Sequence, residues 1–384
     1  MERTLIAAGR IITPFEELRD RSVLLEGGRI LRIDEPGAVR DFDARIDALD
    51  KIVAPGFIDL HVQGAGGADV LDGTGEALDV IALTCARFGV TGFLATTVYR
   101  REGDNRHIGA AARGRRENAE GAELLGIHLE GPFIAEGKRG MIQEECLSPV
   151  DEEVLGRILE LAGDRLRMMT IAPELPGALE TIRELRAEGV VCSFGHSWAD
   201  YGQTVAGIEA GIDHATHLFN AMMPMHHRDP GPVPALLERE EVSAQIIADG
   251  VHIHPAMLGM AVRALGGSRL VLITDGIQAM GLPEGRYVYN GLDYESKCGT
   301  ARYLDGTLIG TALGMSELAA RCIGHTGCTL RQAVAAASFN PAKVLGLQER
   351  KGSVEEGKDA DLVILNPDLS VHVTIRAGRC IFRE

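Results

Sequence analysis

Ala54-Pro55-Gly56-Phe57-Ile58-Asp59-Leu60-His61-Val62-Gln63-Gly64 is the stretch on which the fold turns. It reads as a buried strand from Lys51 to His61, ending in two polar residues one position apart. Residues i and i+2 of a strand face the same way, so His61 and Gln63 project together from its C-terminal end. In a parallel β/α barrel that end of the strands is where chemistry is placed.

Seven further apolar runs follow, at Gly92–Thr97, Leu124–Glu130, Leu166–Ala172, Val190–His196, His214–His217, Ser243–Asp249 and Leu270–Asp275. Between them Glu76–Phe88, Asp151–Leu161, Pro176–Glu188 and Pro255–Leu265 carry helical periodicity, and helices near Ala312–Gly324 and Leu330–Leu345 complete the ring. Eight strands alternating with helices predict an α/β fold built on a (β/α)8 TIM-like barrel rather than an open sheet. Short β-like runs flank this middle, among them Leu5–Ala8, Ser22–Leu25, Arg29–Ile33, Ala360–Leu365 and Val371–Ile375. Neither end has enough strands to hide its apolar face alone. The expectation is a small β-sandwich domain from residues 1–54 plus 350–384, and a barrel domain over 55–349.

The chain has 384 residues, 45% hydrophobic and 24% charged, which suits one large domain with a smaller one. Its net charge of −16, with no basic run beyond short clusters such as Arg113 to Arg116, argues against a general nucleic-acid binder. No apolar run approaches a membrane span, and Met1-Glu2-Arg3-Thr4 lacks the layout of a signal peptide. Seven scattered cysteines read as reduced thiols rather than a disulfide framework. The expected setting is cytoplasmic, with no nucleic-acid and no membrane partner.

Polar residues stand at six of the strand ends. After His61 and Gln63 come His128 and Glu130, then His196, then His214 and His217, then Asp249 and His252, then Asp275. A single strand-end histidine is commonly a hydrogen-bonded structural residue, and Asp-Gly after a strand is commonly a turn. A carboxylate and two imidazoles from three strand ends make a different object, a three-ligand set that leaves one position open. Catalytic divalent-metal sites are built that way.

The blocks Pro55-Gly56-Phe57-Ile58-Asp59, His128-Leu129-Glu130-Gly131-Pro132-Phe133, Gly195-His196-Ser197, His217-Leu218-Phe219-Asn220-Ala221-Met222, Asp249-Gly250-Val251-His252 and Thr274-Asp275-Gly276 resemble the amidohydrolase superfamily. Within it they resemble the N-acetylglucosamine-6-phosphate deacetylases, over essentially the full length. The resemblance implies that Glu130, His196 and His217 hold a divalent metal, one per subunit, with zinc first and iron, manganese or cobalt as alternatives. It makes Asp275 the general base and acid, and the substrate a small amino-sugar phosphate. Asn220, the Ala221 backbone and His252 then contact that substrate, with a loop at Ile309, Gly310 and Thr311 closing over the sugar. Arg228 reaches a neighbouring active site in a homodimer. His252 and His254 form a second His-x-His pair, which competes as a metal site only if His252 is not a substrate contact.

Two departures from the family pattern carry expectations of their own. Two-metal members have His-x-His after the first strand, whereas this chain has His61 with Gln63, and a neutral amide is a poor ligand for zinc-like ions. A second site near His61 and Gln63 is expected to be weak or empty. Ile142 stands where the family usually has a sugar-contacting histidine, which leaves the gluco and galacto epimers both open. Hydrolysis of a cyclic amide or an N-acyl amino acid, and a non-catalytic assembly protein on the same fold, are the competing readings.

Overall fold

Gly56 divides the opening stretch between two sheets. The computed structural model describes residues 2–115, 120–289 and 291–384, so Arg116 of the basic cluster lies outside the described residues. One strand spans Ala44–Pro55 and another Phe57–Val62, so the single strand expected from Lys51 to His61 is in fact two. Gly56 N–H donates to Asp361 O at 2.9 Å, and a Cβ at this position would stand 2.3 Å from the Thr91 side chain. Only a residue without a side chain passes between the sheets at that distance.

Phe57–Val62 is the first strand of an eight-stranded parallel sheet. It continues through Val90–Thr97, Glu123–Glu130, Leu166–Ile171, Val191–Phe194, His214–Ala215, Ser243–Ile246 and Leu270–Leu272, in chain order. A parallel bridge between Val62 and Gly276, with Gln63 N and Gly64 N both donating to Gly276 O at 2.9 Å, joins the first strand to the segment after the eighth and closes the ring. Helices cover the outside. Asp151 caps Glu152–Ala162, and a reciprocal Asp200–Gln203 capping box starts Tyr201–Ala210. Phe57, Phe93, Phe133 and Phe194 belong to the main apolar core, while Ile58, Leu60, Leu94, Met168 and Val271 gather against Ala342 and Leu345 of the closing helices.

Four of the expected strands stop short of their polar ends. Val191–Phe194 ends before His196, His214–Ala215 before His217, Ser243–Ile246 before Asp249, and Leu270–Leu272 before Asp275. His196, His217 and Asp275 have φ of 50°, 28° and 48°, left-handed values that turn the backbone out of the ladder.

The two ends of the chain share a seven-stranded sheet. Its order is Arg379–Arg383, Val371–Arg376, Leu362–Leu365, Ala44–Pro55, Arg3–Ile12, Glu17–Glu26 and Arg29–Asp34. The sheet bends until its Arg29–Asp34 edge meets the 357–361 segment, where Ile30 N donates to Lys358 O (2.9 Å) and Gly357 N to Ile30 O (2.8 Å). It thereby wraps a core of its own, including Ile6, Ile11, Val23, Leu25, Val53, Leu362 and Val373.

A further element was not expected. Gly285–Tyr289, Leu292–Lys297, Thr300–Tyr303 and Leu308–Thr311 form a four-stranded antiparallel sheet between the eighth barrel strand and the last helices. Its final strand lies against the barrel rim, through a parallel bridge between Gly276 and Thr311.

Candidate metal centre

Glu130, the last residue of the third barrel strand, is buried with its side chain aimed at two histidines. Glu130 Oε1 lies 3.0 Å from His196 Nε2 and 3.1 Å from His217 Nε2, and the two Nε2 atoms are 3.1 Å apart. A tetrahedral ion with ligand bonds of about 2.0–2.1 Å sets its ligand atoms about 3.3 Å from one another, so this triangle has the size such an ion requires. Among the described residues this is the one group of three or more acidic, histidine or cysteine side chains spaced to hold a metal.

The protonation pattern agrees with that use. His196 Nδ1 lies 2.7 Å from Lys138 O. A carbonyl can only accept, so Nδ1 carries the proton and Nε2 presents its lone pair to the cluster. Burial holds the His217 imidazole below its ordinary pKa, and thus neutral. Burial works against the Glu130 carboxylate, but the charge on His61 outweighs it and holds its pKa well below the usual range. One carboxylate oxygen and two imidazole nitrogens are the donor set that fits a divalent cation.

Asp275 and the first-strand pair flank this triangle. His61 Nε2 lies 3.3 Å from Asp275 Oδ1 and 3.5 Å from Glu130 Oε1, without hydrogen-bond geometry to either. Burial resists protonation of His61, yet the charges of Glu130 and Asp275 prevail and raise its pKa to about 9. Gln63 Nε2 is 3.4 Å from both Glu130 Oε2 and Asp275 Oδ1. The backbone at His196, His217 and Asp275 is left-handed, each at a cost of order 1–3 kcal/mol that the surrounding fold must over-determine.

The remaining histidines at strand ends do other work. His128 lies between Leu60 O (3.1 Å) and Thr170 Oγ1 (2.8 Å), and His214 pairs with Ser243 Oγ (2.7 Å); burial pushes the first well down and the second to about 3. Both are neutral structural residues. His254 caps the helix Pro255–Arg269, with Nδ1 accepting from Ala256 N, and the second His-x-His pair belongs to no group of three or more ligand side chains among the described residues. His252, half-buried, gives its Nδ1 to Asp249 Oδ2 at 2.7 Å and keeps Nε2 free.

Asn220 and Ala221 stand three and four residues after His217 on a half-buried turn, with Ala221 at φ 54°. Arg228 stands on an exposed loop, its guanidinium 2.7 Å from His227 Nε2. Ile309, Gly310 and Thr311, expected as a loop, are a strand. Thr311 N donates to Asp275 O (2.9 Å) and its hydroxyl to Thr274 O (2.8 Å), so its donors serve the barrel rim. Ile142 is buried beside Ile134 and Cys146 as part of an apolar wall.

The sequence reading passed over four supports of the site. Asp59, wholly buried, takes the Thr274 hydroxyl (2.6 Å) and the N–H groups of Thr274 and His61 (3.2 Å each), tying the first strand end to the eighth. Gln245 Oε1 takes His61 Nδ1 (3.3 Å), Lys138 O takes His196 Nδ1, and the phenol of Tyr289 donates to Gln63 Oε1 (3.0 Å). Asp59 and Gln245 had a visible signal, each a polar residue inside an apolar run.

The Amidohydrolase family matches residues 52–381. An N-acetylglucosamine-6-phosphate deacetylase of Bacillus subtilis (strain 168) is 38% identical, over 99% of this chain and 98% of that protein. An N-acetylgalactosamine-6-phosphate deacetylase of Escherichia coli O157:H7 is 34% identical, over 96% of each. Among solved structures, the N-acetyl-D-glucosamine-6-phosphate deacetylase of Mycobacterium smegmatis superimposes with a TM-score of 0.92 at 34% identity, covering 99% of this chain and all of that one, 100%.

Proposed function

The chain belongs to the amidohydrolase family, in its N-acetylglucosamine-6-phosphate deacetylase branch, and we propose on that premise that it deacetylates an N-acetylhexosamine 6-phosphate. N-acetylglucosamine 6-phosphate is the first candidate, and the products are the amino-sugar phosphate and acetate. The observation that carries the reading is the triangle of Glu130 Oε1, His196 Nε2 and His217 Nε2, with sides of 3.0–3.1 Å, with the Asp275 carboxylate beside it and outside that ligand group. These three residues hold one divalent cation per subunit, zinc foremost.

When bound, such an ion lowers the pKa of a water and polarises a carbonyl. Asp275 does the proton work: it takes a proton from the attacking water as the oxygen adds to the acetyl carbon, and returns it to the nitrogen as the C–N bond breaks. Asn220 and the Ala221 backbone position the sugar. His252, held by Asp249, and Arg228 take the phosphate, for which a guanidinium fork is suited. Exposure of Arg228 on its loop supports a reach into a second subunit, hence a homodimer. The Escherichia coli relative's name favours testing the galacto epimer as well. The bent terminal sheet supports a division into residues 1–54 with 350–384 and residues 55–349. All seven cysteines are free thiols, which supports a reducing, cytoplasmic setting.

The test is acetate release from a panel of N-acetylated hexosamines, each with and without the 6-phosphate. Turnover is expected only for phosphorylated sugars; equal turnover without the phosphate would sink the substrate assignment.

A further inference from the structure

Gln63 places its amide within hydrogen-bond distance of both carboxylates of the centre, and that amide can face them in two ways. With nitrogen inward it offers hydrogens to Glu130 Oε2 and Asp275 Oδ1; with oxygen inward it sets a third acceptor against two anionic oxygens. Tyr289 selects between them. Its phenol has one proton to give and gives it to Gln63 Oε1 at 3.0 Å, from a ring that is 6% exposed. Burial raises that phenol well above its ordinary pKa, so it stays a donor.

We propose that Tyr289 is a positioning residue of the metal centre, acting through Gln63 on Glu130 and Asp275. The inference rests on the metal reading above and extends it to the four-stranded sheet, which otherwise contributes no side chain to the cluster. Glu130 has two oxygens with two tasks: Oε1 faces His196 and His217, and Oε2 faces the Gln63 amide. A carboxylate gripped at one oxygen presents the other in a fixed plane, the way partners beyond the direct ligands tune metal sites. The same grip sets Asp275 Oδ1 beside the cation position. It also turns the Gln63 oxygen, its one atom able to ligate, away from both carboxylates. A second ion near His61 is thereby denied a ligand.

The test measures zinc affinity by chelator competition on the full chain, comparing wild type, Tyr289→Phe, Gln63→Leu and the double variant. Phenylalanine keeps the ring in its buried place and removes only the proton donor. Tyr289→Phe is expected to weaken zinc by about tenfold, the low end for removing such a partner. The double variant is expected to bind as Gln63→Leu does, because Tyr289 acts through the amide. In turnover, Tyr289→Phe should lower kcat with KM unchanged. Equal zinc affinity in wild type and Tyr289→Phe, or losses that add in the double variant, would overturn the proposal while leaving the metal site standing. A wild-type chain that takes up no zinc would instead overturn the metal reading, and this inference with it.

Discussion

Asp275 sits at φ 48°, with its backbone carbonyl held by Thr311 N and its side chain 3.3 Å from His61 Nε2. Asparagine has nearly the same shape and tolerates left-handed backbone, but it cannot cycle a proton. Asp275→Asn is therefore expected to keep the bound metal and lose about 10²–10⁴-fold in kcat, the usual worth of general acid–base catalysis; near-normal turnover would show that the proton carrier is another group. Arg228 calls for a different readout. Arg228→Ala should raise KM for the phosphorylated sugar by at least about tenfold, one charge-assisted contact being worth about 1.5–3 kcal/mol, with little change in kcat. An unaltered KM would remove Arg228 from the phosphate. At this scale the sequence was legible where residue type implies chemistry: Glu130, His196 and His217 were candidates before any coordinates, and the fold brings them together. The groups that orient them were not legible, because Lys138 acts through a backbone carbonyl and Tyr289 through one hydroxyl.

The four-stranded sheet shows what was lost among elements. Its strands alternate buried and exposed residues, and a two-residue Asn290-Gly291 stands between Gly285–Tyr289 and Leu292–Lys297. Asn-Gly between alternating runs is the strongest short-range hairpin signal, so the element was legible but unread. The barrel strands were read at the right places, yet four were read two residues or more too long at their C-terminal ends. Hydrophobic pattern reports burial, and it cannot report that His196, His217 and Asp275 leave the ladder in left-handed conformation. Leu308–Thr311 is also where an element can disturb the site without touching its chemistry. Gly310 has φ +130°, and a Cβ there would stand 2.5 Å from Asp275 O. Gly310→Ala is expected to push Asp275 off its position and lower kcat by at least about tenfold, since a misplacement of about 1 Å can cost 10²-fold. Full activity in that variant would mean the strand does not register Asp275.

Across the whole molecule, the bent sheet and the barrel meet at a buried cation. Lys351 Nζ lies 2.6 Å from Asp361 Oδ2, just before the Leu362–Leu365 strand of the terminal sheet, 2.8 Å from Glu123 Oε2 on the third barrel strand, and 3.3 Å from Asp359 Oδ2. Lys351→Met leaves the fully buried Asp361 carboxylate without its partner and is expected to cost about 3–5 kcal/mol, read as a lower urea midpoint. A midpoint equal to wild type would show that the two parts hold together without it. That the two chain ends would come together was legible from strand count, although the expected sandwich is one bent seven-stranded sheet, and nothing in the sequence around Lys351 marks that lysine as buried. No helix among the described residues is long and apolar enough to cross a membrane. The claim beneath all the chemistry is that three residues from three strand ends share one cation. Anomalous diffraction from crystals of the metal-loaded chain tests it most directly. The account predicts a single strong peak about 2.0–2.2 Å from Glu130 Oε1, His196 Nε2 and His217 Nε2; a peak ligated by other residues, or two equally strong peaks with one beside His61 and Gln63, would contradict it.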